Sequence, residues 1–370
     1  MHHIPLPPVF EPDFYREHQP HLANLSDEEA LEHYRSEGIA SGYIASPGAL
    51  RGHLLSFAGN EKSILEIGPF HAPSITGNNV RYMDVLTTDE LKDAVRNAGH
   101  DTSNVPQIDY VAPKGGFDMV DRRFSAVFSG HCIEHQPDFI RHFQGVSSVL
   151  EDGGRYYIAC PDKRFCFDHY APESTVSDVL AAYHANRRFH HPRSFIVQRL
   201  HRAHNDAARH WSGDHGPQPY VHYTDIQKEV FSDLPSEDVY HDTHAWQFVP
   251  ASFFQIMSFL YVAGLTDFAV ERVYHTRHGS QEFTAVLRKG RHAIDSATAF
   301  VEATPVEALF SHLKNERVRT LDEIEKLEGD HIRAKIEIER LKQDLNAVFA
   351  SRSWAVTRPL RRISGFLRRH

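Results

Sequence analysis

The chain has 370 residues, 41% of them hydrophobic, and a formal net charge of −9 with its histidines neutral. That length supports one large core with appendages, and the acidic balance argues against general nucleic-acid binding. Three cysteines, Cys132, Cys160 and Cys166, with no CxxC pair, support neither a disulfide framework nor a thiolate zinc site and fit a reducing cytosol. The N-terminus MHHIPLPPVFEPDFY has no basic region leading into an apolar core, and no run of about eighteen apolar residues occurs anywhere, so neither a signal peptide nor a membrane span is expected. Many of the 28 histidines lie between His169 and His244; most read as surface or packing residues, and no metal site is assigned from their number.

Residues 1–50 read as a small helical extension. Ser26 with Glu29 three residues on makes a capping box, Ala30, Leu31 and Tyr34 give the helix an apolar side, and Gly38 is expected to stop it. A catalytic domain follows over 51–290. In KSILEIGPFHAPSITGNNVRYMD, residues 62–84, an apolar run containing Glu66 leads into a turn at Gly68, and a second short run closes on Asp84. In doubly wound sheets such a turn lets backbone N–H groups approach a ligand, while a carboxylate after the second strand accepts from a ribose. Strands are expected at 63–67, 80–83, 108–111, 125–128 and 156–159, and a helical stretch at 139–150 implies right-handed crossovers and a parallel sheet. The segment FSAVFSGHCIEH, residues 124–135, reads as a buried strand, a turn at Ser129, Gly130 and His131, and a helix carrying Glu134 and His135. An insert at about 171–242 is rich in His, Arg and aromatic residues and poor in periodicity. A helix at 251–263 ended by Gly264, then alternating runs at 268–274 and 282–288 around a turn with Gly279, close the domain.

Taken in order, EIGPFHAP, YMDV, FSAVFSGHCIEHQPD and GGRYYIACPD resemble the class I S-adenosylmethionine-dependent methyltransferases over about 62–289. The resemblance implies an α/β, Rossmann-like sheet, mostly parallel with an antiparallel last strand, and S-adenosyl-L-methionine as cofactor. It implies that Glu66 and Gly68, with Pro69 and Phe70 in the same turn, hold the methionine part, and that Asp84 holds the ribose hydroxyls. Asp109 and Tyr110 would lie against the adenine, or serve as a turn carboxylate and a packed aromatic; Ser129 and Gly130 would line the pocket after the fourth strand. One departure stands out: Phe70 and Ala72 occupy the places of the family's second and third glycines, which puts a phenyl group where backbone usually approaches the ligand.

In that family the insert builds the acceptor pocket, and mixed aromatic and hydrogen-bonding side chains suit a sugar. A hydroxyl acceptor needs a base. His135 and His131, expected one helical turn apart with Glu134 to orient an imidazole, are candidates, and so is His244 in HDTHAW. The segment FEPDFYREHQPHLANLSDEEALEHYRSEGIASGY resembles a motif of bacterial cell-surface polysaccharide enzymes, and ASRSWAVTRPLRR resembles tails of polysaccharide-assembly glycosyltransferases. Together they imply O-methylation of a sugar hydroxyl in surface glycan assembly, with a glycan acceptor as partner.

From residue 305 to 350, Phe310, Arg317, Ile324, His331, Ile338 and Leu345 with Leu313, Thr320, Leu327, Ala334, Leu341 and Val348 place nine apolar residues in twelve core positions. This predicts a coiled coil and a homo-oligomer. The tail 351–370 holds six arginines and no acid, leaving −9 − 6 = −15 for the rest; with Trp354, Leu360, Ile363, Phe366 and Leu367 it suits the surface of an anionic membrane. The protein is thus expected to be cytoplasmic, with peripheral contact to the inner membrane face or to polysaccharide-assembly enzymes. Two rivals are weighed: a coiled-coil scaffold with a degenerate cofactor domain, which Phe70 keeps open, and an inverted zinc-peptidase motif H-x-x-E-H at His131, Glu134 and His135.

Overall fold

The computed structural model describes residues 5–113, 115–217 and 241–290 and, further on, 326, 329, 331, 333–344, 346 and 347. The chain divides into two compact units, Met1–Thr304 and Pro305–His370. The first holds a seven-stranded sheet in the order β3-β2-β1-β4-β5-β7-β6, from β1 (Ile64–Ile67), β2 (Val80–Asp84), β3 (Tyr110–Val111), β4 (Phe124–Gly130), β5 (Leu150–Pro161), β6 (Phe268–Tyr274) and β7 (Glu282–Lys289). β3 through β5 run parallel, and β7 runs antiparallel to both β5 and β6. β1 and β4 are buried along almost their whole length because both faces of the sheet are covered. On one face Phe139, Phe143, Phe253 and Met257, from α6 (Phe139–Val149) and α10 (Pro250–Val262), pack on Val127, Tyr156 and Phe268. On the other, Leu54 and Ala58 of α4 (Arg51–Gly59) meet Ala126, Phe128 and Tyr157.

Several expected bounds shift for local reasons. β3 starts only at Tyr110, because the Ile108 amide donates to Thr88 Oγ1, at the start of α5 (Thr88–Asn97), instead of to a strand. α6 ends at Val149, since Leu150 is already the first residue of a long β5. The N-terminal region forms α1 (Pro12–His18), α2 (Asp27–His33) and, through a π turn at Tyr34–Gly38, α3 (Ile39–Ser41). The Ser26–Glu29 capping box is made. Gly38 does not stop the helix, however: it is a packing glycine whose Cβ would meet the Tyr15 hydroxyl, and the stop is Gly42 at φ 68°. Val9, Tyr15, Tyr34 and Ile39 then gather around Tyr274 of β6, the edge strand.

The insert contains α7 (Val176–His184), α8 (Pro192–His201) and α9 (Ala207–Trp211); residues 218–240 lie outside the described ones. In the second unit, 333–344 are helical, with Ile336, Ile338 and Leu341 exposed. Most of the heptad positions and the whole basic tail lie outside the described residues. Among those described, no helix is long and apolar enough to cross a membrane. 

Candidate functional site

The chain leaves β1 towards β2 and β3 on one side, then returns to β4 on the other, so the crevice at the carboxyl ends of β1 and β4 is where such a sheet binds ligands. After β1 the backbone is left-handed at Gly68 (φ 69°) and again at Phe70 (φ 45°). That conformation is free for glycine and costs a residue with a β-carbon about 1–2 kcal/mol. Phe70 thus keeps the backbone shape a glycine would take, while its ring stands 40% exposed, edge-on to His71 and His100. Glu66 is buried beneath this loop. Its Oε1 accepts from the Ser74 amide (2.7 Å) and its Oε2 from the Ile75 amide (3.0 Å). Burial pushes the carboxyl pKa up, against the pull of those two amides. Glu66 therefore shapes the loop from within.

Asp84 ends β2 beside Gly68, whose amide donates to the Met83 carbonyl (2.9 Å). It is half-buried, accepts from the Leu86 amide (3.0 Å), and burial raises its pKa. Asp109 is exposed and accepts from the Tyr82 amide (2.9 Å), which makes it a clasp on the β2–β3 edge. Tyr110 is half-buried, its hydroxyl donating to Asp121 (2.9 Å) and its ring edge-on to Phe124.

On the β4 side, three expectations need correcting. Ser129 does not face the crevice: it is fully buried, with Oγ 2.8 Å from the Tyr156 hydroxyl, which in turn lies 2.9 Å from His142 Nε2. Strand alternation turns it into the core. The helix expected to carry Glu134 and His135 is a 3₁₀ turn, Ile133–His135, preceded by left-handed backbone at His131 (φ 52°). His131 and His135 consequently diverge. His131 Nε2 lies 2.8 Å from Glu282 Oε2, which also takes Arg51 Nη1 at 2.7 Å, while Arg51 Nη2 reaches Ser74 Oγ at 3.2 Å. Burial raises the Glu282 pKa, but His131 and Arg51 outweigh it and the net shift is downward. The H-x-x-E-H pattern accordingly has no common helical face. Gly130 backs onto Arg51, whose Nη2 would lie 2.8 Å from an added Cβ.

The residues brought together instead are Glu134, His135 and His244. Glu134 is 1% exposed and neither carboxylate oxygen has a hydrogen-bond partner. Its Oε1 lies 3.7 Å from His135 Nε2 and 4.0 Å from His244 Nε2. The two rings meet edge to face, centroids 4.6 Å apart. Each is backed by a carboxylate: Asp168 is hydrogen-bonded to His244 Nδ1, and Asp242 Oδ1 lies 2.9 Å from His135 Nδ1, outside hydrogen-bond geometry. For His135, burial lowers the pKa, but Asp242, Glu134 and Asp168 more than reverse that and raise it. The segment carrying His244 is pinned here by the Ala245 and Trp246 amides, both donating to the Glu134 carbonyl at 2.7 and 3.2 Å. Cys132 connects the two halves of the crevice, with Sγ 4.0 Å from where a Cβ on Gly68 would stand. Burial pushes the pKa of that thiol up.

The sequence alone singled out neither Arg51 and Glu282 nor Asp168 and Asp242. Asp168 and His244 are 76 positions apart, and no local pattern announces such a pairing.

Neither a protein-family model nor a curated protein matches the chain. Among solved structures, similarity is found to an S-adenosylmethionine-dependent methyltransferase from Aquifex aeolicus (12% identity, 72% of this chain and 100% of that one, TM-score 0.33). It is also found to the CcbJ methyltransferase from Streptomyces caelestis (12% identity, 65% and 94%, TM-score 0.33). A Zn-dependent alcohol dehydrogenase from Rhodobacter sphaeroides scores alike (11% identity, 66% and 89%, TM-score 0.33). Likenesses this distant assign no activity to this chain.

Proposed function

We propose that the chain is an S-adenosylmethionine-dependent methyltransferase acting on a hydroxyl oxygen, with a sugar of a bacterial surface glycan as acceptor. The observation that carries this reading is the crevice at the β1–β4 switch point. On one side stands the left-handed Gly68–Phe70 turn held from below by Glu66, with Asp84 at the end of the next strand. On the other stands the Glu134–His135–His244 cluster. In this reading the amides of Phe70, His71 and Ala72 and the Asp84 carboxylate hold the cofactor's methionine and ribose parts, using the backbone approach that left-handed turns provide. When bound, the cofactor supplies an electrophilic methyl on a sulfonium. The chain's own residues orient an acceptor oxygen behind that methyl and handle its proton.

Support for a hydroxyl-rich acceptor comes from a polar cleft of about 690 Å³ lined by Arg51, Asn205, Asp206, Arg277, Gln281 and Glu282, where the insert meets the start of β7. Trp211 stacks on Phe165 at 3.8 Å close by and donates its indole N–H to the Ser280 carbonyl. The glycan context, the coiled-coil oligomer and membrane contact through the basic tail belong to the same proposal and rest on the sequence. Calorimetric titration of the full chain with S-adenosylmethionine tests it. Stoichiometric binding is expected; no heat at millimolar cofactor would leave the scaffold reading in its place.

A further inference from the structure

We infer that Glu134, His135 and His244 form a binding site for a divalent first-row transition-metal ion, whose open position would take the acceptor oxygen. The use of that oxygen rests on the methyltransferase reading; the metal site itself does not.

Four observations carry it. A carboxylate 1% exposed with neither oxygen hydrogen-bonded is a rare arrangement, since desolvating an ionised group without hydrogen bonds is strongly unfavourable. Both imidazoles turn Nε2 towards that carboxylate, at 3.7 and 4.0 Å. Tetrahedral ligands about 2.1 Å from a common ion stand roughly 3.4 Å apart, close to both distances from Glu134, and the three ligand atoms all lie within 4.8 Å of one another. His244 Nδ1 is hydrogen-bonded to Asp168, which is how a ligand imidazole is oriented and made more basic from behind, and Asp242 Oδ1 lies 2.9 Å from His135 Nδ1. Finally, two buried carboxylates, Glu134 and Asp168, stand beside the two imidazoles, and the nearby Lys163 ammonium is turned to the His169 carbonyl at 2.9 Å. A dication balances that charge.

Two nitrogens and one oxygen suit zinc, cobalt, iron or manganese better than magnesium or calcium, and three protein ligands leave a position open for a substrate oxygen. The sequence offered these histidines as candidate bases. As ligands they cannot be, because each Nε2 lone pair is committed. The ion then lowers the acceptor hydroxyl's pKa and its proton leaves to solvent. The oxygen forms its bond to the methyl carbon as the carbon–sulfur bond breaks, and the sulfonium departs as a neutral thioether.

The test uses full-length protein stripped with a chelator and titrated with Co²⁺ and Zn²⁺ separately, followed by calorimetry and by the thermal midpoint. One ion is expected to bind at this site and to raise the midpoint. Glu134→Gln and His244→Ala should each weaken binding by at least about 100-fold, and Asp168→Asn by about 10–100-fold. His135→Ala is a second ligand variant should either of the first two not fold, as judged by circular dichroism. A separate cluster, His169, His210 and His215, also brings ligand atoms within 4.8 Å of one another, so His169→Ala serves as the comparison. Binding that persists in folded Glu134 and His244 variants, or that disappears only in His169→Ala, overturns the site. S-adenosylmethionine titration on the same samples separates the readings: cofactor binding without metal binding sinks this inference alone, and metal binding without cofactor binding sinks the methyltransferase reading alone.

Discussion

Asp84 and Glu66 illustrate how two carboxylates on adjacent strands come to differ in kind. Glu66 spends both oxygens on its own loop, whereas Asp84 is half-buried with one oxygen held by the Leu86 amide. Asp84→Ala should therefore remove a direct charge-assisted contact and weaken S-adenosylmethionine binding by about 1.5–3 kcal/mol with little change in unfolding midpoint. Glu66→Ala should weaken binding and lower the midpoint together. Unchanged affinity in both variants, in a wild type that binds, removes the cofactor assignment. His142 supplies a pH test. Burial lowers its pKa to about 3, below an unfolded value near 6.5, so between those values the unfolded chain holds the extra proton. The contribution of neutral His142 is complete above about pH 6.5 and is lost as pH falls, at about 1.4 kcal/mol per pH unit. Urea midpoints at pH 7 and pH 5 should show His142→Gln losing about 2 kcal/mol less than the wild type over that interval; parallel losses would contradict a buried neutral imidazole.

Among the elements, the N-terminal helices and β6 depend on one another. Tyr274 donates its hydroxyl to the Pro7 carbonyl at 2.8 Å, and the Thr284 hydroxyl donates to the Gly48 carbonyl at 2.7 Å. A Cβ on Gly48 would lie 2.1 Å from the Tyr274 ring, which leaves no room for a methyl. Gly48→Ala should lower stability by about 1–3 kcal/mol, read from the urea midpoint at constant slope. A wild-type midpoint would mean that the 5–50 region does not dock on the edge strand in solution.

For the whole molecule, the second unit is predicted to associate chains through its heptads and the tail to attract anionic lipid by a salt-screened force. Truncation after Gly290 should give a monomer or weaker oligomer that still binds S-adenosylmethionine. Truncation after Ala350 should keep the oligomer and lose vesicle binding. Light scattering checks the first, and sedimentation with anionic vesicles at low and high salt checks the second. Vesicle binding indifferent to salt would show that the arginines are not the anchor.

Local periodicity determined a good deal by itself. The buried runs of β1 and β4, the Ser26–Glu29 box, the closing helix before Gly264 and the pair β6–β7 were all legible, because strand burial, caps and glycine stops are set by neighbours within a few residues. The turn at Gly68 was legible for the same reason. Only the tertiary structure decided where the side chains around that turn point. A single left-handed residue at His131 sends its imidazole to Glu282, 151 positions away, and strand alternation hides Ser129 against Tyr156. The pairing of Glu134 with His244, and of His244 with Asp168, depends on the segment after β5 and the segment before α10 folding back over β4. Such contacts are fixed by packing across the sheet's upper edge, and sequence spacing carries no record of them.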